Sequence, residues 1–406
     1  MNIINSISPF FKNRVPKQIV IQFTNVCNAL CPQCEMRKTN NIKRNTLPKE
    51  KIKNIIDKAS KNKFAALSLT GGEPLLFPET LKDLLLYAKT KNIHFTRTGT
   101  NGFFFERKHS NYEKKVVSTA KLIKDSKVRN FWISIDSSDP FQHEKMRGFE
   151  RQVEGIYKGI PIFNDAGIFP CANLGINRGI GGKATLELDP LNYKSENEYL
   201  KDFQDIYEKA FSKFFTFVSD LGFTIANCCY PMSTAIDSNP VSPVYSAASS
   251  NHIVSFSKNE KTALFKALYS SIEKNREKIK IFNPLSSVFE IINQYEKGIK
   301  PRPCKGGTDF FFSDAVLEKV FPCGFRDEEI DIKNFKFKKK ENNLPCSKCD
   351  WECFRDPSTL ISPASQIISS PFKGYKNLKK DKFFFDLWKN DMKYYLKCGF
   401  FSSLKK

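Results

Sequence analysis

Histidine is scarce in this chain. There are four in 406 residues, and none lies near the cysteines at positions 27, 31 and 34; the nearest is His94. A closed zinc site of cysteine and histidine ligands is disfavoured there, because tetrahedral zinc wants four such donors. Long apolar runs are also missing. No stretch reaches the roughly 18 apolar residues that would cross a bilayer. Met1–Lys17 has no apolar core of a secretory signal. Acidic residues are in deficit, 43 against 65 basic, for a net charge of +22. The excess is mostly scattered lysine and reads as solvated surface. The rival reading, an acidic, phosphorylated or nucleic-acid partner, has no recognisable nucleic-acid module behind it.

Cysteine, by contrast, is abundant: there are twelve. The chain is too long for a small disulfide scaffold, so these cysteines read as reduced metal ligands in a cytoplasmic protein. Hydrophobic residues at 40% indicate a globular chain, long enough for one large core and a second domain.

Short apolar runs alternate with helical patterns. Strands are expected at Gln18–Thr24, Ala65–Thr70, His94–Thr98, Phe131–Asp136, Phe169–Ile176 and Phe223–Asn227. Between them lie helical stretches, the first at Pro48–Lys61 with Pro48 at its N1 position. This alternation predicts an α/β fold with a parallel sheet, six units rather than the eight of a complete barrel. Chemistry in such folds sits at the carboxyl ends of the strands. The distinctive residues fall there: CNALCPQC after the first strand, Gly71–Pro74 after the second, Thr100–Gly102 after the third, Asp136 at the end of the fourth.

Cys27, Cys31 and Cys34 can hold three irons of a [4Fe–4S] cube, which leaves the fourth iron open to a chelating molecule. Together with TGGEP (Thr70–Pro74) and ISIDSSDPFQHEKMRG (Ile133–Gly148), the triplet resembles the radical SAM superfamily. The resemblance covers most of residues 18–230 and implies a partial (β/α)6 TIM-like barrel. It implies that S-adenosylmethionine chelates the open iron. Electron transfer from the cluster would then cleave the cofactor to a 5′-deoxyadenosyl radical, which abstracts hydrogen from substrate. Gly71 and Gly72 would let the backbone approach the methionyl ammonium, Glu73 would add negative charge and Pro74 would fix the turn. Asn101 reads as a ribose or adenosyl contact, or as a turn former. Ser134 and Arg147 are candidates for the ribose and carboxylate of the cofactor. Asp136 is a ligand contact or a strand-end turn former, and His143 holds its loop. One departure is Gln33, where the family usually has an aromatic residue beside the third cysteine.

Around Thr234–Ser257 the chain turns loop-like. Helical stretches follow at about Asn259–Lys278 and Leu285–Gly298, then a second cysteine group: Cys304, Cys323, Cys346, Cys349 and Cys353. Zinc ribbons share such spacing. The stretch from Pro303 to Cys323 resembles part of a SPASM domain, with Glu318 where glycine is usual. The shorter Twitch form fits better and implies one auxiliary [4Fe–4S] cluster on Cys304, Cys323, Cys346 and Cys349, with Cys353 spare or in exchange with Cys349. Such a cluster would accept an electron from the substrate radical, giving oxidation or cross-linking, or would bind substrate through an open iron; with five cysteines available full ligation is expected. Cys171 is placed at the end of strand five, as a hydrogen donor or a buried structural thiol. Cys228, Cys229 and Cys398 have no readable role.

The expected organisation is a radical SAM core at 1–235, a linker and helical segment at 236–300, a Twitch/SPASM-like domain at 301–360 and a helical tail at 361–406. The aromatic and lysine mixture of Lys379–Lys406 reads as a helix docked on the core, with a membrane-surface helix as the alternative. The implied partners are a flavodoxin- or ferredoxin-type reductant and a peptide, small-molecule or lipid-linked substrate. Molybdopterin-precursor cyclases of this family end in Gly-Gly, whereas this chain ends Leu404-Lys405-Lys406. Only 17 residues precede the first strand, so a leader-dependent peptide would need a separate recognition protein. The alternatives are a cluster or zinc protein without catalysis, and a nucleic-acid-modifying member of the same family.

Overall fold

A computed structural model of the chain describes residues 10–29, 31–34, 44–108, 110–231, 251–316, 318–326, 328–338, 346–347 and 349–401. The six expected strands are present: β1 (Lys17–Thr24), β2 (Phe64–Gly71), β3 (Phe95–Thr100), β4 (Asn130–Ser134), β5 (Cys171–Gly175) and β6 (Ile225–Cys229). Each pairs in parallel with the next. The longer helices between them are α1 (Lys49–Lys61), α2 (Pro78–Thr90), α3 (Tyr112–Ser126), α4 (Pro140–Arg147), α5 (Gln152–Asp165) and α6 (Glu196–Asp220). Their apolar stripes cover one sheet face. In α1, for instance, Ile52, Ile55, Ile56 and Ala59 are buried at helical spacing. Pro48 is the N-cap of α1 rather than its first helical residue, because its ψ of 135° is extended.

The sheet extends beyond six strands. After α7 (Lys258–Asn275), the two-residue strand β7 (Lys280–Ile281) pairs in parallel with β6. Helix α8 (Leu285–Lys297) follows. Strand β8 (Phe310–Ser313) then joins the far edge, parallel to β1, and β9 (Val320–Phe321) pairs antiparallel with β8. The order is β7-β6-β5-β4-β3-β2-β1-β8-β9, an α/β fold whose seven central strands run parallel in sequence order. A small antiparallel ribbon of β10 (Ile330–Asp331) and β11 (Lys336–Phe337) completes this part. Most of the linker expected at Thr234–Ser257 lies outside the described residues.

Helix α9 (Glu352–Ser369) begins by bridging the two sides of the incomplete barrel. On one side the Gln18 amide of β1 donates to the Cys353 carbonyl at 2.9 Å. On the other, buried Asp356 accepts from Ser287 Oγ at 2.6 Å, Tyr230 Oη at 3.0 Å and Asn283 Nδ2 at 3.3 Å. The segment that follows the second cysteine group is thus tied to the first strand and to the chain beyond β6.

Helices α10 (Pro371–Lys379) and α11 (Lys382–Lys397) close the fold. The aromatic content of α11 is used in packing: Phe384, Phe385, Trp388 and Tyr395 are buried in one cluster. Asp391, fully buried, accepts from the N–H groups of Leu285 and Ser286 at 3.1 and 2.7 Å and from Arg276 at 2.8 Å. It therefore caps the amino end of α8 from another helix. Asp391→Ala strands those donors and a buried guanidinium. It should lower unfolding free energy by about 3 kcal/mol in urea titrations. A loss under about 1 kcal/mol would show that α11 is not anchored this way.

Candidate functional site

The loop after β1 carries Cys27, Cys31 and Cys34, of which Cys27 is exposed, Cys31 buried and Cys34 half-buried. Two of the sulfurs already accept hydrogen bonds. Cys27 Sγ receives the Ala29 N–H at 3.5 Å and the Asn101 side-chain amide at 3.7 Å. Cys31 Sγ receives Arg147 Nη1 at 3.6 Å. Burial pushes the Cys31 thiol up to about 12 and also raises Cys27. Among the described residues, no group of three His, Cys, Asp or Glu side chains is gathered to hold a single metal ion.

The loop after β2 locks onto the cysteine loop through its backbone. The Gly72 N–H donates to Thr24 O and the Glu73 N–H to Val26 O, both at 2.8 Å. A methyl group added at Gly71 would lie 2.2 Å from Thr24 O, and one at Gly72 would lie 2.1 Å from Val26 O. Glycine is required here by this close approach of two backbones, a reason additional to any approach of a ligand. Gly72→Ala should displace the cysteine loop, cost about 2–3 kcal/mol in thermal unfolding and reduce iron retention after reconstitution. Unchanged stability together with full iron loading would refute this packing argument.

Glu73 is fully buried. Its carboxylate accepts from Leu75 N and Thr100 Oγ1, both at 2.9 Å, and from Asn101 N at 2.6 Å. Burial raises its pKa to about 7, against those three donors. It joins the ends of β2 and β3 as a scaffold anchor. Pro74 opens the following 3-10 turn, Pro74–Leu76. Asn101 does two things at once. Its Oδ1 accepts from Phe103 N at 2.9 Å, forming the turn, while its Nδ2 reaches Cys27 and Asn28.

The loop after β4 contributes an ion pair. Asp136, almost fully buried, meets Arg147 with Nε to Oδ2 at 2.6 Å and Nη2 to Oδ1 at 2.8 Å. Burial alone would lower the Arg147 pKa, but Asp136 and Cys31 reverse that and raise it. His143 Nδ1 accepts the Asp136 N–H at 3.1 Å, and burial lowers its pKa to about 4, so it holds the loop as a neutral ring. Gln33, in the usual aromatic position, donates to Asp136 Oδ2 at 3.3 Å. Its Oε1 is buried with no hydrogen-bond partner.

Ser134 ends β4 on the opposite face from buried Phe131 and Ile133. The register aligns it with Asn173 and then Asn227, so these polar residues share the inner face. Asn227 Nδ2 donates to Asn173 Oδ1 at 2.9 Å, and Cys229 Sγ lies 3.3 Å from the same oxygen. Arg97 of β3 donates to Gln18 at 3.0 Å on that face. Sequence reasoning missed this inner row. The alternation of CANLG and IANCC carried the signal. Cys171 is corrected: β5 runs Cys171–Gly175, so Cys171 opens the strand, at the opposite end from the cysteine loop. Burial pushes its thiol up to about 12. The apolar run Phe169–Ile176 held no mark of where pairing starts.

The second cysteine group divides. Cys304, Cys323, Cys346 and Cys349 line one cavity beside Trp351 and Arg326. Cys304 N donates to Cys346 O at 2.8 Å, drawing two separate segments together. The N–H groups of Gly306 and Phe325 point at Cys304 Sγ and Cys323 Sγ at 3.3 and 3.4 Å. Cys353 is not part of this lining; its Sγ lies 3.6 Å from Glu352 Oε1, in the direction of Cys229. Glu318 has φ of 57°, the left-handed region that favours glycine, which accounts for the usual glycine there. Its carboxylate pairs with Lys51.

Residues 21–181 match the family model described as the radical SAM superfamily. A probable GTP 3′,8-cyclase of Methanococcus maripaludis is 25% identical over 150 residues, 37% of this chain and 46% of that protein. The chain spans about half the length of the curated cyclases it matches. An AdoMet-dependent heme synthase of Methanosarcina barkeri is 22% identical over 320 residues, 76% of this chain and 77% of its own. Among solved structures, anSMEcpe with bound AdoMet and a Cp18Cys peptide has a TM-score of 0.48 at 14% identity, covering 92% of this chain and 99% of its own. Streptococcus suis SuiB bound to precursor peptide SuiA has a TM-score of 0.45 at 15% identity, covering 80% and 63%. Among the described residues no helix is long and apolar enough to cross a membrane. The domain at residues 21–181, with its cysteine loop and the glycine turn locked to it, is thus similar to the radical SAM superfamily over about two fifths of the chain.

Proposed function

We propose that this chain is a radical SAM enzyme with one auxiliary [4Fe–4S] cluster, acting on a peptide, small-molecule or lipid-linked substrate with a flavodoxin- or ferredoxin-type reductant. One observation carries the reading most. The cysteine loop, Gly71–Pro74, Asn101 and the Asp136–Arg147 pair meet at one end of the sheet, with donors aimed at the sulfurs of Cys27 and Cys31. Donors of this kind suit thiolates that hold a cluster. Cys27, Cys31 and Cys34 are the ligands in this reading. When bound, the cluster and S-adenosylmethionine supply hydrogen-atom abstraction through a 5′-deoxyadenosyl radical.

The chain's own residues orient and enclose. Gly71 and Gly72 keep the β2 turn against the cysteine loop, and Glu73 holds that turn to Asn101. The orphaned Gln33 Oε1 offers a buried acceptor to a cofactor amine in place of an aromatic stack. Arg147 supplies a fixed positive charge beside Cys31, and Ser134 borders the inner face where substrate would lie. Cys304, Cys323, Cys346 and Cys349 are the auxiliary ligands, with Cys353 outside that set. Anaerobic reconstitution with iron, sulfide and a strong reductant tests the reading. The product expected from S-adenosylmethionine is 5′-deoxyadenosine with methionine in equal amount; zinc in both sites and no cleavage would reject it.

A further inference from the structure

The C-terminal helices leave large apolar side chains partly or wholly exposed, although Phe383 also meets Phe289 at 4.8 Å and Tyr375 meets Phe385 at 5.6 Å between ring centroids. Helix α10 turns Gly374 and Leu378 inward, where both are buried. Its other side carries Phe372, 94% exposed, and Tyr375, 44% exposed. Phe372, Tyr375 and Lys379 follow the i, i+3, i+7 spacing of one helical face. Ile368 at the end of α9 and Phe383 at the start of α11 are also exposed. Four large apolar side chains are thus at least one-third exposed within sixteen residues, Phe372 almost completely, and exposure concentrated in this way suits an interaction surface.

Charge defines the partner. The same stretch holds Lys373, Lys376, Lys379, Lys380 and Lys382. Its one acidic residue, Asp381, is engaged in capping, accepting from Phe384 N at 3.0 Å. The stretch has no arginine, the residue favoured for bidentate phosphodiester recognition. Apolar side chains interleaved with lysine suit a surface that is apolar just below an anionic layer. We propose that residues 368–383 dock this protein on an anionic phospholipid bilayer, with Phe372 entering the boundary between headgroups and acyl chains. The surface differs from Lys379–Lys406, the segment singled out by composition, because α11 buries Phe384, Phe385, Trp388 and Tyr395 in the fold and leaves Phe383 exposed. The inference stands apart from the catalytic reading.

Co-sedimentation of the cluster-loaded full chain tests it, with vesicles of phosphatidylcholine alone and of phosphatidylcholine mixed with phosphatidylglycerol. Binding is expected to the mixed vesicles only. Lys373→Glu/Lys376→Glu/Lys379→Glu should weaken it at least about tenfold. Phe372→Ser, at a position too exposed to affect folding, should weaken it by a similar factor. No pelleting with anionic vesicles, equal pelleting with neutral ones, or binding indifferent to Phe372→Ser would each overturn the proposal. Salt-sensitive retention on RNA without vesicle binding would overturn it in favour of a nucleic-acid surface.

Discussion

Anaerobically reconstituted Cys27→Ala, Cys31→Ala and Cys34→Ala variants should each lose 5′-deoxyadenosine formation by at least ~10³-fold, because the reaction then lacks its source of electrons and its chelating iron. Their folds should survive. Cys27 is exposed, and among the described residues Cys31 packs in a small cluster with Ala29 and Phe149, flanked by Cys34 and Phe103. Removing one sulfur there costs on the order of 1 kcal/mol. Iron content should fall by about half, since the second cysteine group is untouched. Circular dichroism and iron assay on the same samples separate a lost cluster from a lost fold. Full cleavage activity in any of the three would defeat the ligand assignment.

Cys304→Ala and Cys353→Ala should behave oppositely. Cys304 lines the cavity with Cys323, Cys346 and Cys349, and its sulfur already accepts the Gly306 N–H. Its removal should cost the auxiliary cluster, again about half the iron, while S-adenosylmethionine cleavage continues without oxidised or cross-linked product. Cys353 faces Glu352 and Cys229 instead. Its replacement should leave iron content unchanged. A Cys353→Ala protein with half the iron, beside a fully loaded Cys349→Ala protein, would exchange the two assignments.

The parts of this fold that the sequence displays are those with a local cause. Most of β1 to β6 are short apolar runs between helical stretches with a buried stripe, β3 (FTRTGT) being threonine-rich instead, so six parallel units are legible. The nine-stranded sheet is not, because its extra members are short and their partners distant. β7 is two residues long, and β8 (Phe310–Ser313) pairs with β1 across almost three hundred residues. Gly71 and Gly72 were legible as a close approach, but the nearest partner is the Thr24–Val26 backbone. Glu73 suggested a charge for a ligand, and the structure engages that carboxylate with Leu75, Thr100 and Asn101. Spacing could not separate Cys349 from Cys353, because their placement depends on how α9 crosses from Gln18 to Asp356. Composition likewise could not tell which aromatics of the tail are buried and which are exposed.

The central claim is an open iron on the Cys27, Cys31 and Cys34 cluster facing S-adenosylmethionine. Electron paramagnetic resonance of the reduced protein, with and without the cofactor, tests it most directly. Two overlapping [4Fe–4S]⁺ signals are expected, and adding S-adenosylmethionine should shift one of them while leaving the other in place. In Cys27→Ala only the unshifted signal should remain. Two signals that both ignore the cofactor, or a shift that persists in Cys27→Ala, would contradict the account.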